Sequence, residues 1–244
     1  MKKTLCVIPA RAGSQRIPKK NLSCIDGVSL VRHAYNAAHL SGVASHIVVS
    51  TDNEEMADGL DWVCRPADLS GPSADISQAV HHALLEVERT NSTTFDYVIT
   101  LQPAIPVRTG AIIKSVLEGV IRHNCRGGLT GVPIVPWIWK ERNGAASNSW
   151  SPAPYPRSQE FHGTRTWQEV NAVQVAARDI VLEGKRWDLP LLVHLLPSYA
   201  ALDIDDERDL DRAKLTLSYI LAALNLDSGD DQFVVTSINE HFRL

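Results

Sequence analysis

The sequence has little that would mark an oxidised, membrane-spanning or nucleic-acid-binding protein. Its four cysteines, Cys6, Cys24, Cys64 and Cys125, lie far apart, with no C-x-x-C. Neither a zinc site nor a disulfide framework is indicated, and reduced thiols in the cytoplasm are the plain expectation. Long apolar runs are also missing. The run after Met1-Lys2-Lys3 stops at Pro9, too short for the hydrophobic region of a signal peptide and far too short for a bilayer span. Charge of one sign does not dominate: the formal net charge of -4 gives no reason to expect nucleic acid or a membrane surface as partner, so any anion site must be local. No Ser-His-Asp or Cys-His grouping stands out, and the adjacent His81 and His82 on a helical stretch would point about 100° apart, poor geometry for one metal. Covalent catalysis is not expected.

What is present is a 244-residue chain, 44% hydrophobic, of a size that suits one α/β domain with a modest extension. Leu5 to Ile8 is a short apolar run ending at proline, which predicts a buried strand emptying into a loop over residues 10–21. Helical spacing follows over 30–40, 76–90 and 111–123, and a short helix over 53–60 that Thr51 or Asp52 could cap. Apolar strands are predicted at 46–50, 97–101, 129–132, 170–176 and 191–196, with a final helix over 206–224. Strands alternating with helices imply a parallel or mostly parallel sheet covered on both faces, with ligands at the carboxyl ends of the strands. From 133 to 168 the periodicity is lost and Pro, Trp, Asn and Ser become frequent, which reads as an inserted arm packing on a partner subunit or on substrate. The tail through Phe233 to Leu244 gives no clear signal.

Two segments could carry chemistry. The loop Ile8-Pro-Ala-Arg-Ala-Gly-Ser-Gln-Arg-Ile-Pro-Lys-Lys-Asn-Leu22 brings one glycine, one serine and a set of cations to the end of the first strand. Gly13 lets backbone approach phosphate oxygens, Ser14 can donate to them, and Arg11, Arg16 and Lys20 can offset charge during phosphoryl transfer. The loop has neither the Walker A nor the GxGxxG pattern; a solvated basic loop is the plainer alternative, and its place at the end of the first strand favours a site. In Leu202-Asp-Ile-Asp-Asp-Glu207, alternation along an extended segment puts Asp203 and Asp205 on one side, where they suit a hard divalent cation such as Mg2+. Capping of the following helix by Asp205 or Asp206 is the competing reading.

These segments, in this order, resemble the sugar-acid cytidylyltransferases, specifically the CMP-sialic acid synthetases and their pseudaminic and legionaminic acid relatives. The likeness extends to Ser50-Thr-Asp-Asn-Glu-Glu55, Arg65-Pro-Ala-Asp-Leu69 and the sugar-side loop Leu101-Gln-Pro-Ala-Ile-Pro-Val-Arg108. The resemblance implies a Rossmann-like fold, a homodimer built through the arm, and attack of a sugar acid's anomeric hydroxyl on the α-phosphate of CTP. Carried over by position, Arg11, Ala12, Gly13, Ser14, Asn21, Arg65 and Ala74 would hold the nucleotide, with Arg11, Arg16 and Lys20 serving catalysis. Gln102, Arg157 and Asn171 would take the acceptor, and Asp203 and Asp205 the magnesium. Departures from the family pattern fall mainly on the acceptor side. Gln15 stands where the sialic acid enzymes usually have Lys, Pro103-Ala104-Ile105 lacks the usual Thr-Ser pair, and Asn171-Ala-Val-Gln-Val175 replaces Asn-Gly-Ala and an aromatic strand. An altered acceptor pocket is expected. KDO or a phosphonate as acceptor, and CTP binding without catalysis, stand as alternatives.

Overall fold

Along β1 (Thr4–Pro9), Leu5 and Val7 face one side and Cys6 and Ile8 the other, and all four are fully buried. A strand with two dry faces belongs inside a sheet covered on both sides. The computed structural model, which describes residues 2–14, 16–134, 137–148, 157, 166–226 and 233–236, has that architecture. After β1 come the small hairpin β2 (Cys24–Ile25) and β3 (Val28–Ser29), α1 (Leu30–Ser41), β4 (His46–Thr51), β5 (Trp62–Cys64), α2 (Ile76–Asn91), β6 (Tyr97–Thr100) and α3 (Gly110–Arg122). The second half holds β7 (Gly127–Pro133), the hairpin β8 (Lys140–Arg142) and β9 (Ala145–Ser147), β10 (Trp167–Ala177), α4 (Arg178–Leu182), β11 (Leu191–Leu195), α5 (Glu207–Leu226) and β12 (Phe233–Thr236).

Among the described residues, eight strands form one sheet in the order β12-β11-β7-β10-β6-β1-β4-β5. Helices α1, α3 and α5 pack on the face that carries Cys6 and Ile8, and α2 and α4 on the face that carries Leu5 and Val7. The helix starts follow local chemistry: the side chains of Ser29, Asp75 and Thr109 accept from backbone N–H groups of the first turns of α1, α2 and α3. Strand β1 pairs in parallel with β4 on one side and with β6 on the other. The chain therefore reverses its direction of travel across the sheet at β1, and a crevice is left where the loops after β1 and β6 diverge.

The sheet is mostly parallel, as expected, and β10 and β12 are its antiparallel strands. Strand β10 runs antiparallel to both β6 and β7, with a register shift between Val170 and Gln174. From Ala172 to Ala176 the strand is buried throughout, and composition does not tell the sense in which a buried strand runs. The short helix expected over 53–60 is a 3-10 turn, Glu54–Ala57, capped by Asn53 rather than Thr51 or Asp52; the Asp52 carboxylate is occupied elsewhere. The tail contributes β12, antiparallel to β11. Of the arm, Pro133 belongs to β7 and Trp167 and Gln168 to β10, while β8 and β9 form an exposed hairpin; residues 135–136, 149–156 and 158–165 lie outside the described residues. No helix among the described residues is long and apolar enough to cross a membrane.

One ion pair ties the far face together. The Glu88 carboxylate on α2 accepts from Nε and Nη2 of Arg178, both at 2.8 Å, and from the backbone N–H of Phe95 at 3.0 Å. The Arg178 hydrogen bonds hold the Glu88 carboxyl below its ordinary value of 4.5. Its contribution is thus present above that value and is lost as pH falls through the depressed one. Glu88→Gln is expected to destabilise the fold by roughly 2 kcal/mol at neutral pH. Urea melts at pH 7 and pH 3 should show that difference shrinking in acid; an equal difference at both would remove the charge from the explanation.

Candidate functional site

A cavity of about 310 Å³ opens at the carboxyl ends of β1 and β6. Its floor and one wall come from the loop after β1, through Pro9, Arg11, Ser14, Arg16, Ile17, Lys20 and Asn21. Arg65 enters from the end of β5, Ala74 and Ile76 from the start of α2, and Gln102, Pro103 and Ala104 from the loop after β6. Asp205, just before α5, supplies the carboxylate.

The loop after β1 is held by its own backbone and by the segment after β4. The Asn21 side-chain amide donates to the Arg11 carbonyl at 2.9 Å, and the Ala12 N–H donates to the Asp52 carboxylate at 2.8 Å. Lys19 pairs with Glu55 at 2.7 Å. Asp52 thus serves the loop instead of capping a helix. Arg11 donates to the carbonyl of Gly71, which also accepts from the Ala74 N–H, so the loop before α2 is drawn over the cavity. Arg65 is buried, and its Nε and Nη2 donate to the Ser50 side chain and carbonyl. Burial pushes its pKa down to about 10, with the Asp52 charge opposing that shift. At neutral pH it remains a cation with a fixed orientation, suited to planar or phosphate recognition.

At the other end, Lys20 Nζ donates to the Ile204 carbonyl at 2.6 Å and lies 3.7 Å from the Asp205 carboxylate, which Arg16 meets at 2.9 Å. Ile204 is fully buried between the two aspartates, and its N–H donates to the Ala104 carbonyl at 2.8 Å. Asp203 is exposed along part of its side chain, yet burial of the carboxyl and the neighbouring Asp205 push its pKa up. Two carboxylates that repel one another beside a cation-lined cavity fit a hard divalent ion. Among the described residues no group of three or more His, Cys, Asp or Glu could hold a metal. A cation at Asp203 and Asp205 would complete its shell with water and phosphate, which is how magnesium binds.

The helix-capping alternative also holds, through Asp206, one of the two residues named for it. The Asp206 carboxylate accepts from the Asp209 N–H at 3.0 Å, and the Asp209 carboxylate accepts from the N–H groups of Asp205 and Asp206 at 2.9 and 3.1 Å. This reciprocal box starts α5 without using the carboxylates of Asp203 and Asp205; Asp205 lines the cavity, whereas Asp203 is exposed beside it and is not among the lining residues.

The fold brings together Arg11, Ser14, Arg16, Lys20, Asn21, Arg65, Ala74, Gln102 and Asp205. Ala12 and Gly13 do not line the cavity. Ala12 anchors the loop, and Gly13 is exposed, with open space where a Cβ would stand. Asn171 is not among the lining residues either: its side-chain carbonyl accepts from Arg186, which also reaches Gln174 and Glu169. Arg157 is exposed; its chain neighbours and Gln15 lie outside the described residues. Residue-by-residue reasoning missed Asp52 and Ala104, which act through backbone bonds that side-chain chemistry does not announce. Asp52 sits within a segment singled out for resemblance.

The profile of the family described as Cytidylyltransferase matches residues 5–123. A CMP-N,N'-diacetyllegionaminic acid synthase of Legionella pneumophila is 36% identical over 121 residues, 47% of this chain and 51% of that protein, so the match spans about half of that relative's length. A pseudaminic acid cytidylyltransferase of Campylobacter jejuni is 28% identical over 224 residues, 87% of this chain and 95% of that one. Among solved structures, a CMP:2-keto-3-deoxy-manno-octonic acid synthetase complexed with CTP superposes with a TM-score of 0.64 at 20% identity, covering 89% of this chain and 99% of that chain. At that identity the likeness establishes the fold.

Proposed function

The chain belongs to the sugar-acid cytidylyltransferase family, and from that premise we propose that it joins the CMP of CTP to the anomeric hydroxyl of a sialic-acid-like nonulosonic acid. The observation that carries the reading is the meeting of Arg11, Arg16, Lys20 and Arg65 with Asp205 in one cavity at the reversal point of the sheet. Such a reaction makes one oxygen–phosphorus bond at the α-phosphate and breaks the one to the bridging oxygen, releasing pyrophosphate; positioning and charge stabilisation supply nearly all of the catalysis.

In this reading the loop from Arg11 to Asn21 and Arg65 hold the nucleotide. Arg16 and Lys20 bear on the phosphate end, and Gln102 meets the acceptor. Asp203 and Asp205 would hold Mg2+, which when bound neutralises phosphate charge. Arg16, now on Asp205, would exchange that partner for phosphate oxygens when the metal arrives. The departures at Pro103, Ala104 and Ile105 support an acceptor whose contacts there are less polar than usual for sialic acid enzymes. We include a cytoplasmic homodimer in the proposal, supported by the exposed Trp137, Ile138 and Trp139 that lead into the β8–β9 hairpin.

The test is pyrophosphate release by the purified chain with Mg2+, each of the four nucleoside triphosphates, and a panel of nonulosonic acids, KDO and small phosphonates. Release that requires CTP and a nonulosonic acid is the expected result. Release with KDO or a phosphonate would replace the acceptor, and CTP binding by calorimetry without release from any acceptor would replace the enzyme by a binding protein.

A further inference from the structure

Arg108 ends the loop that follows β6, and it is only 3% exposed. Its Nη2 donates to the carbonyls of Gln102 and Ile105, while its Nε and Nη1 meet no hydrogen-bond partner. Among the described residues no carboxylate pairs with it, and burial pushes its pKa down to about 9, so it remains charged at neutral pH. A buried, unneutralised cation is a poor choice where only packing is required, because an apolar side chain of similar volume avoids the desolvation penalty. Its position at the base of the acceptor-side loop gives it a different use.

The two carbonyls that it gathers are three residues apart, and the Ile105 N–H also donates to the Gln102 carbonyl at 3.1 Å. The guanidinium therefore closes the turn from inside. Ala104, within that turn, accepts from the Ile204 N–H, and the Ile204 carbonyl is held by Lys20. A continuous line of hydrogen bonds thus runs from Arg108 through the Gln102–Ile105 turn to the residue between Asp203 and Asp205. The bonds that fix the nucleotide end, Arg65 to Ser50, Asn21 to Arg11 and Ala12 to Asp52, do not involve this loop.

We propose that Arg108 is a positioning residue for the acceptor: it fixes the Gln102–Ile105 turn so that the acceptor end of the cavity and the Asp203–Asp205 segment keep one separation. The inference rests on the reading that Gln102 faces the acceptor. It also gives the two carbonyls a cationic partner away from the substrate, so that neither oxygen is left to repel an anionic acceptor.

Two variants of the full chain test it, Arg108→Lys, which keeps the charge but loses the planar fork, and Arg108→Met, which removes an unpaired buried charge. In both, KM for the acceptor is expected to rise roughly tenfold or more and KM for CTP much less, because the bonds that hold Arg11, Ala12 and Arg65 do not involve this turn. The backbone amide of Ile204 should exchange with solvent roughly tenfold faster, with the amides of β1 and β4 unchanged. The Met variant should keep a melting temperature near that of the parent. Equal rises in both KM values, unchanged exchange at Ile204, or faster exchange throughout with a lower melting temperature would each overturn the proposal. A parent that releases no pyrophosphate would instead remove the assigned reaction, and exchange at Ile204 would still decide whether Arg108 sets the turn.

Discussion

Asp203→Asn is expected to lower magnesium-dependent turnover by about a thousandfold while leaving the folded chain at least as stable as its parent. The reasoning runs through charge crowding. Burial and the neighbouring Asp205 charge raise the cost of ionising Asp203, while Arg16 and Lys20 pair with Asp205. Removing the Asp203 charge relieves a repulsion that the unliganded fold tolerates, a trade between stability and function that is common where a site must receive a cation. Thermal melts separate this from simple damage. Added Mg2+ should raise the parent's melting temperature and leave that of the Asn variant unmoved. A variant that still responds to Mg2+, or still turns over, would take Asp203 out of the metal site.

Lys20→Met is expected to reduce kcat/KM by on the order of a hundred- to a thousandfold, the usual loss when one charge-stabilising donor leaves a phosphoryl-transfer site. Lys20 is only 19% exposed at its side chain and does two things at once. It presents a cation to the cavity, and through the Ile204 carbonyl it holds the segment that carries both aspartates. Lys20→Arg should therefore fail to restore activity, because a compact ammonium fits that carbonyl and the broader guanidinium fork does not. Steady-state kinetics on both variants, with circular dichroism to show retained fold, provide the check. Full rescue by arginine would mean that only the charge matters.

Much of the architecture could be read from the sequence because its cores are built by simple alternation. Leu5 and Val7 against Cys6 and Ile8, and the helical spacing of Val80, Ala83, Leu84 and Val87, each name a buried face without reference to neighbours. The basic loop could be picked out by its place after the first strand, and the aspartate pair by the alternation that puts both carboxylates on one side. What could not be read depended on tertiary partners. The direction of β10 is invisible in a run buried on both faces. Strand β5, only three residues long, falls below any periodic signal, although it delivers Arg65. Asn53 displaced Asp52 as a cap because Asp52 was needed by Ala12, a residue forty positions away. Arg108 could be named in sequence only as the end of the sugar-side loop, and its burial and carbonyl partners emerge only in the fold. Asn171, carried over by likeness, is bound to Arg186 instead, a partner fifteen residues on that no local pattern links to it.

The separate anchoring of the two ends of the cavity bears on how such a protein diversifies. On the proposed assignment, mutations between Leu101 and Arg108 that retune the acceptor would leave untouched the bonds around Asp52, Ser50 and Asn21 at the other end of the cavity. The internal clamp makes that stretch a natural unit of exchange. A graft of the loop from a relative with another acceptor should carry its own residue at 108, for a cassette cut at 105 would arrive without the side chain that folds it.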